Sequence, residues 1–215
     1  MNLAKSREKI LKKVRKALLT RKPTVPEPDF NSEIFTKDPE KDLSVIFAEN
    51  FVKAKGEFIY CEDLTDFENS ISSLVKIRGL EKIFLLEPVL EEMLLKARIP
   101  VSNTEENFLG SNIGITSCES LVARTGSLIV SSKNPGGRRI GIYPPVHIVI
   151  AYTSQIVEDI KDGLSAIKKK YNGAMPSMIS LVTGPSRTSD IEKTLVMGAH
   201  GPKELILFLI DDTSN

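Results

Sequence analysis

The sequence predicts an α/β fold: an open mixed sheet with helices on both faces, preceded by a basic N-terminal helix. Three observations predict it. From residue 43 onward, apolar stripes of helical period alternate with short β-like runs. Met178–Val182 and Leu205–Ile210 are apolar in the manner of strands covered on both faces. The 215 residues, 41% hydrophobic and 27% charged, suffice for one sizeable core.

The elements follow in order. Leu3, Ile10, Leu11, Val14, Ala17 and Leu18 fall near one face of a helix over residues 3–19. Residues 1–22 carry nine Lys and Arg against one acid, Glu8, for a charge of +8. The remaining 20 bases and 27 acids give −7, so the net +1 sums two regions of opposite sign. The basic helix reads as a solvated face with a thin docking stripe, facing its own domain, a partner subunit or an anionic surface. Nothing aromatic is interleaved with the bases, which argues against nucleic acid. Pro23, Pro26 and Pro28 make residues 23–39 a linker. The α/β domain then occupies residues 40–215.

Asp38-Pro39 reads as a helix N-cap and first turn, with Leu43, Ile46, Phe47 and Phe51 as the buried stripe and Gly56 as the stop. Glu57–Tyr60 is a strand. Thr65-Asp66-Phe67-Glu68 has the form of a capping box before Ile71, Leu74 and Val75, and Gly79 ends that helix. Lys82–Leu86 is a strand, and Pro88 opens a helix with Val89, Leu90, Met93, Leu94 and Ala97 facing inward. Between residues 110 and 151 the pattern is β-like: Ile113–Thr116, Leu128–Ser132, Ile140–Tyr143 and His147–Ala151. Ser154 reads as the cap of a helix with Ile156, Ile160, Leu164, Ile167 and Tyr171.

Several function classes are excluded. The longest apolar run has six residues, whereas a membrane helix needs about 20. No apolar signal core stands at the N-terminus, and two cysteines make neither a disulfide framework nor the usual four-thiolate cluster. The expectation is a cytoplasmic chain with no membrane span and no metal site.

Three segments combine glycine, hydroxyl and arginine where predicted strands end. They are Ala123–Ser127, with Arg124, Thr125, Gly126 and Ser127; Asn134–Arg139, with Arg138 and Arg139; and Thr183–Asp190, with Gly184, Ser186, Arg187 and Thr188. Glycine lets a backbone N–H approach an anion, hydroxyls add donors, and guanidinium matches carboxylate or phosphate. The alternative for each segment is a tight turn whose arginine pairs with a nearby acid. The acid–base candidates are His200, His147, Glu119 and Asp190, with Glu192 beside the last. Cys118 reads as a small buried residue rather than a reactive thiol.

Gly114-Ile-Thr-Ser-Cys-Glu-Ser-Leu-Val-Ala-Arg-Thr-Gly-Ser127, Pro144-Pro-Val-His147, Thr183-Gly-Pro-Ser-Arg-Thr-Ser-Asp-Ile-Glu192 and Gly198-Ala-His-Gly-Pro-Lys-Glu-Leu205 together resemble the LUD-domain family, the lactate-utilization protein C group. The resemblance implies a sheet like that of ribose-5-phosphate isomerase and the CoA-transferases. It implies a role beside two iron–sulfur proteins that oxidise L-lactate to pyruvate, with clusters on those partners and no cofactor on this chain. A small carboxylate or phosphate-type anion is the ligand this reading expects. A stand-alone sugar-phosphate isomerase or CoA-transferase-like enzyme, and an assembly module without chemistry, are the alternatives.

Overall fold

The computed structural model describes residues 3–19, 42–188, 196–197 and 201–213. The chain divides into two units, Met1–Pro39 and Glu40–Asn215. In the first unit, helix α1 spans Leu3–Leu19. The second runs α2 (Leu43–Lys53), β1 (Glu57–Cys61), α3 (Leu64–Arg78), β2 (Ile83–Phe84), α4 (Pro88–Lys96), α5 (Glu105–Leu109), β3 (Ile113–Thr116), β4 (Ser120–Val122), β5 (Ser127–Ser131) and β6 (Val146–Tyr152). It continues with β7 (Ile156–Val157), α6 (Ile160–Lys170), β8 (Ile179–Val182), β9 (Arg187–Thr188), β10 (Val196–Met197) and β11 (Glu204–Ile210).

The main sheet has five strands in the order β1-β11-β6-β3-β2, all parallel. Its centre is the pair β11 and β6, in register from Glu204 opposite Val146 to Ile210 opposite Tyr152. Side chains of a strand alternate between faces, and here both faces are apolar. Ile148, Ile150, Ile206, Phe208 and Ile210 point one way and pack with Phe67 and Ile71 of α3 and Leu90 and Leu94 of α4. Val149, Ala151, Leu205, Leu207 and Leu209 point the other way, against Phe47 and Phe51 of α2 and against Leu121, Leu128 and Val130. Those last three belong to a second sheet, order β7-β4-β5-β8, in which β4–β5 and β5–β8 are antiparallel and β4–β7 parallel. Its far face carries Val122 and Ile129 against Ile167 of α6. The mixed character of the fold therefore lies in this second sheet, while the main sheet is purely parallel.

The sequence reading and the structure differ in places, each for a local reason. Ile140–Tyr143 is a set of turns, with the Ile140 N–H donating to Gly136 O and the Tyr143 N–H to Arg139 O. Gly136 at φ +76° starts the turn, and Ile140 is buried in one cluster with Phe84 and Phe108. Ser154 caps no long helix; its hydroxyl donates to Asp212, and the helix waits for Asp159, whose carboxylate accepts the Ile160 N–H and whose own N–H donates to Asp162. The α3 cap is Asp63, which accepts the Asp66 N–H at 2.7 Å. Asp42 caps α2, accepting the Ser44 N–H; Asp38 and Pro39 lie outside the described residues. The apolar run ending at Val182 forms β8, a half-buried edge strand rather than a central one.

One turn shows how tightly the layers meet. Gly126 closes the β4–β5 hairpin at φ +59°, and a Cβ there would lie 2.3 Å from the Phe51 nitrogen of α2. Asn50 Nδ2 secures the contact by donating to Ala123 O at 3.0 Å. Gly173, at φ +83°, has nothing within 4 Å of a Cβ. Gly126→Ala is therefore expected to lower stability by about 3 kcal/mol through strain plus overlap, and Gly173→Ala by about 1 kcal/mol through backbone conformation alone. Urea unfolding of both variants checks this; equal losses would contradict the close approach.

Candidate functional site

The polar groups gather beyond the carboxyl ends of β2 and β3, where open α/β sheets place their ligand crevices. Glu87 follows β2 and stands at the N-cap of α4, with Pro88 in the first helical position. Its carboxylate does not cap its own helix. It accepts the Ser117 N–H at 2.8 Å and the Ser117 Oγ–H at 2.5 Å, just past β3. Asn134 Nδ2, from the loop after β5, donates to the same Ser117 Oγ at 2.9 Å. Burial raises the Glu87 carboxyl above the usual carboxylate range, against the lowering effect of the two Ser117 bonds.

Glu119 lies beside this group, on the far side of Cys118. Its side chain is fully buried and accepts from Ser131 Oγ at 2.6 Å, Lys170 Nζ at 2.8 Å and Tyr171 OH at 2.8 Å. Burial alone pushes its carboxyl up; the Lys170, Ser131 and Tyr171 donors outweigh it and hold the group below its ordinary value. Glu119 thus ties the end of β5 and the last turn of α6 to the start of β4. A charge with no water is tolerated there because three donors replace the water.

His147 sits on the inner face of β6, 1% exposed. Nε2 meets Thr116 Oγ1 at 2.9 Å, whereas Nδ1 has no hydrogen-bond partner among the described residues. The ring lies under the 136–145 loop, where a Cβ on Gly141 would come within 3.3 Å of Cε1. Burial drives its pKa from 6.5 down to about 4. The ring is neutral at physiological pH and meets the Thr116 hydroxyl.

The arginine segments do not converge. Arg124 forms a two-bond ion pair with Asp159 at 2.9 Å, which fastens the β4–β5 turn to the start of α6. Arg139 pairs with Glu105 at 2.5 Å and stacks over Phe108 at 4.2 Å. Arg187 donates to Ala54 O at the end of α2. Gly184 approaches that same carbonyl, at φ +75° with its Cβ position 2.1 Å away. Arg138 donates to Ser177 Oγ at 2.6 Å. The hydroxyls are similarly occupied: Ser127 Oγ donates to Thr125 Oγ1 at 2.8 Å and meets Thr183 Oγ1 at 2.7 Å. The Ser186 N–H donates to Pro202 O. So Arg124, Arg138, Arg139 and Arg187 serve four separate junctions and do not line one cleft. Thr188 lies in the short strand β9; Asp190, Glu192 and His200 lie outside the described residues.

Glu87, Ser117, Asn134, Lys170 and Tyr171 are the site residues that sequence reasoning missed. Ser117 lies inside the quoted motif and Asn134 opens another, but Glu87 looks like an ordinary helix start. Both cysteines are buried, Cys61 at 0% and Cys118 at 2% exposed. Burial raises both thiols, Cys61 to about 11. Among the described residues there is no group of three His, Cys, Asp or Glu placed to hold a metal, and no helix long and apolar enough to cross a membrane.

Comparison with known proteins adds the following. The sequence profile of the LUD domain matches residues 90–210. An uncharacterised protein of Neisseria meningitidis is 31% identical over 146 residues, 62% of each chain. Lactate utilization protein C of Bacillus subtilis is 29% identical over 190 residues, 80% of this chain and 79% of that one. Its Bacillus licheniformis counterpart is 36% identical over 104 residues, so the match spans 47% of this chain and 43% of the relative. A crystal structure of a DUF162 family protein from Deinococcus radiodurans superposes with a TM-score of 0.58 at 16% identity, covering 78% of this chain and 96% of that one. This last likeness shows the shared α/β fold.

The His147 environment sets a pH dependence. A histidine whose folded pKa lies below its unfolded value favours folding above pH 6.5, and that stability is lost as pH falls from 6.5 toward 4. The difference between wild type and His147→Gln in urea unfolding is expected to change by about 3 kcal/mol across this window. Parallel pH profiles would show that the ring is not held neutral by burial.

Proposed function

The chain belongs to the LUD domain family, and on that footing we propose that it is a lactate-utilization protein C-like subunit of an iron–sulfur system oxidising L-lactate to pyruvate. The observation that carries this reading is the likeness to the Bacillus subtilis protein over four fifths of this chain. Iron–sulfur clusters sit on the partner proteins in this reading and take the two electrons of the oxidation. The burial of both thiols here supports that division of labour, since a cluster ligand must be a thiolate and burial opposes it. The system is placed in the cytoplasm.

A small carboxylate is the proposed ligand, and Arg138 is the residue proposed to meet it. Arg138 is exposed, its partner Ser177 is neutral, and among the described residues it forms no ion pair. It shares its loop with Asn134, which reaches the Glu87–Ser117 pair. A carboxylate would replace the Ser177 hydroxyl with a charge-assisted, two-point contact. Arg124 and Arg139 already hold carboxylates, which supports a structural role for them. Glu87, with its raised carboxyl, is joined to that loop through Ser117 and Asn134 and is the acid–base group of this reading.

A second reading, an assembly module without chemistry, is favoured by the saturation of Glu119, whose three donors leave it little freedom to act on a ligand. One genetic experiment tests the first and separates the two. Deleting the gene is expected to abolish growth on L-lactate while sparing growth on pyruvate, and the wild-type gene is expected to restore it. Arg138→Gln, confirmed folded by its unfolding midpoint, is expected to restore growth poorly if the carboxylate binds there. Full restoration favours the assembly reading, and undiminished growth of the deletion strain overturns both.

A further inference from the structure

We infer that α1 is a surface-binding helix for anionic phospholipid. This rests on the helix itself and is independent of the lactate reading. Over residues 7–17 every position of α1 is exposed. At 100° per residue, Ile10 and Val14 fall within 40° of each other, with Leu11 beside them, and these side chains are 62%, 49% and 43% exposed. Lys9, Lys12 and Lys13 occupy the opposite side of the same helix. One face is thus a short aliphatic strip with Arg7 at its N-terminal end, and the other is a lysine row.

The charge pattern chooses between the surfaces that could receive such a helix. A protein groove that receives an amphipathic helix offers its counter-charges at a few fixed positions. The first 22 residues hold nine bases and a single acid, Glu8, so the lysine row cannot be neutralised from within the segment. A bilayer containing anionic lipid offers a continuous plane of phosphate, which meets every lysine at once. Aliphatic side chains can then enter the headgroup boundary while the long lysine stems reach back to the phosphates. The helix has no aromatic residue, which removes the stacking that single-stranded nucleic acid requires. Its strip is far too polar to span, so the contact is peripheral.

The test is co-sedimentation of the full chain with vesicles. Binding is expected to mixed phosphatidylglycerol–phosphatidylcholine vesicles and not to pure phosphatidylcholine, and it should weaken as salt is raised. Replacing Lys9, Lys12 and Lys13 by Gln is expected to weaken binding about 100-fold, at roughly fivefold per lysine. Ile10→Asp with Val14→Asp should abolish it with the lysines intact. All variants must keep the wild-type thermal midpoint of the body. Failure to bind anionic vesicles, equal binding to both vesicle types, or insensitivity to the aspartate pair would each overturn the lipid assignment. Loss of an acidic protein partner from α1 variants, without any vesicle binding, would move α1 to protein docking instead.

Discussion

The constraint on which the rest of the body depends is that β6 and β11 are apolar on both faces. Neighbours in register from Val146 to Tyr152, these strands leave no side open to water. One face has to be closed by α3 and α4 and the other by α2 and the second sheet. The hairpin β4–β5 is consequently pressed against α2, where Gly126 permits contact at backbone distance. Polar groups gather at the margins of these layers, among them the carboxyl ends of β2 and β3.

That margin is where the structure adjusts the chemistry read from the residues. Arginine among glycines suggested a common anion cleft, yet the layered packing creates several junctions that each need a cationic donor. Arg124 joins the hairpin to α6, Arg187 closes the end of α2, and Arg139 holds α5 to the loop above β6. The carboxylates, by contrast, do come together. Glu87 and Glu119 lie on either side of Cys118 close enough to influence its thiol, one with a raised carboxyl and one with a lowered carboxyl. Two like groups held in opposite senses is an arrangement that acid–base sites use, and buried structural networks use it as well.

Much of the architecture was legible in the sequence. Leu205–Ile210 stood out because a strand covered on both faces is apolar at nearly every position. Pro88 and Gly79 marked helix limits through backbone geometry, which is local. What stayed hidden was non-local. Ile140-Gly-Ile-Tyr143 has strand-like composition, but its backbone bonds turn back to Gly136 and Arg139. Glu87 gained its meaning from Ser117, thirty positions later, and Glu119 from Lys170, fifty-one positions later. The two-residue strand β7 exists only through its pairing with β4, thirty-five positions earlier.

The central claim is that this chain works as one member of an iron–sulfur lactate-oxidising assembly. The most direct measurement is affinity purification of the tagged full chain from cells grown on L-lactate, with iron and acid-labile sulfide measured in the eluate. The account predicts co-purifying iron–sulfur proteins in lactate-grown cells. A chain that elutes alone and free of iron, under conditions that preserve the clusters of other assemblies, would contradict it.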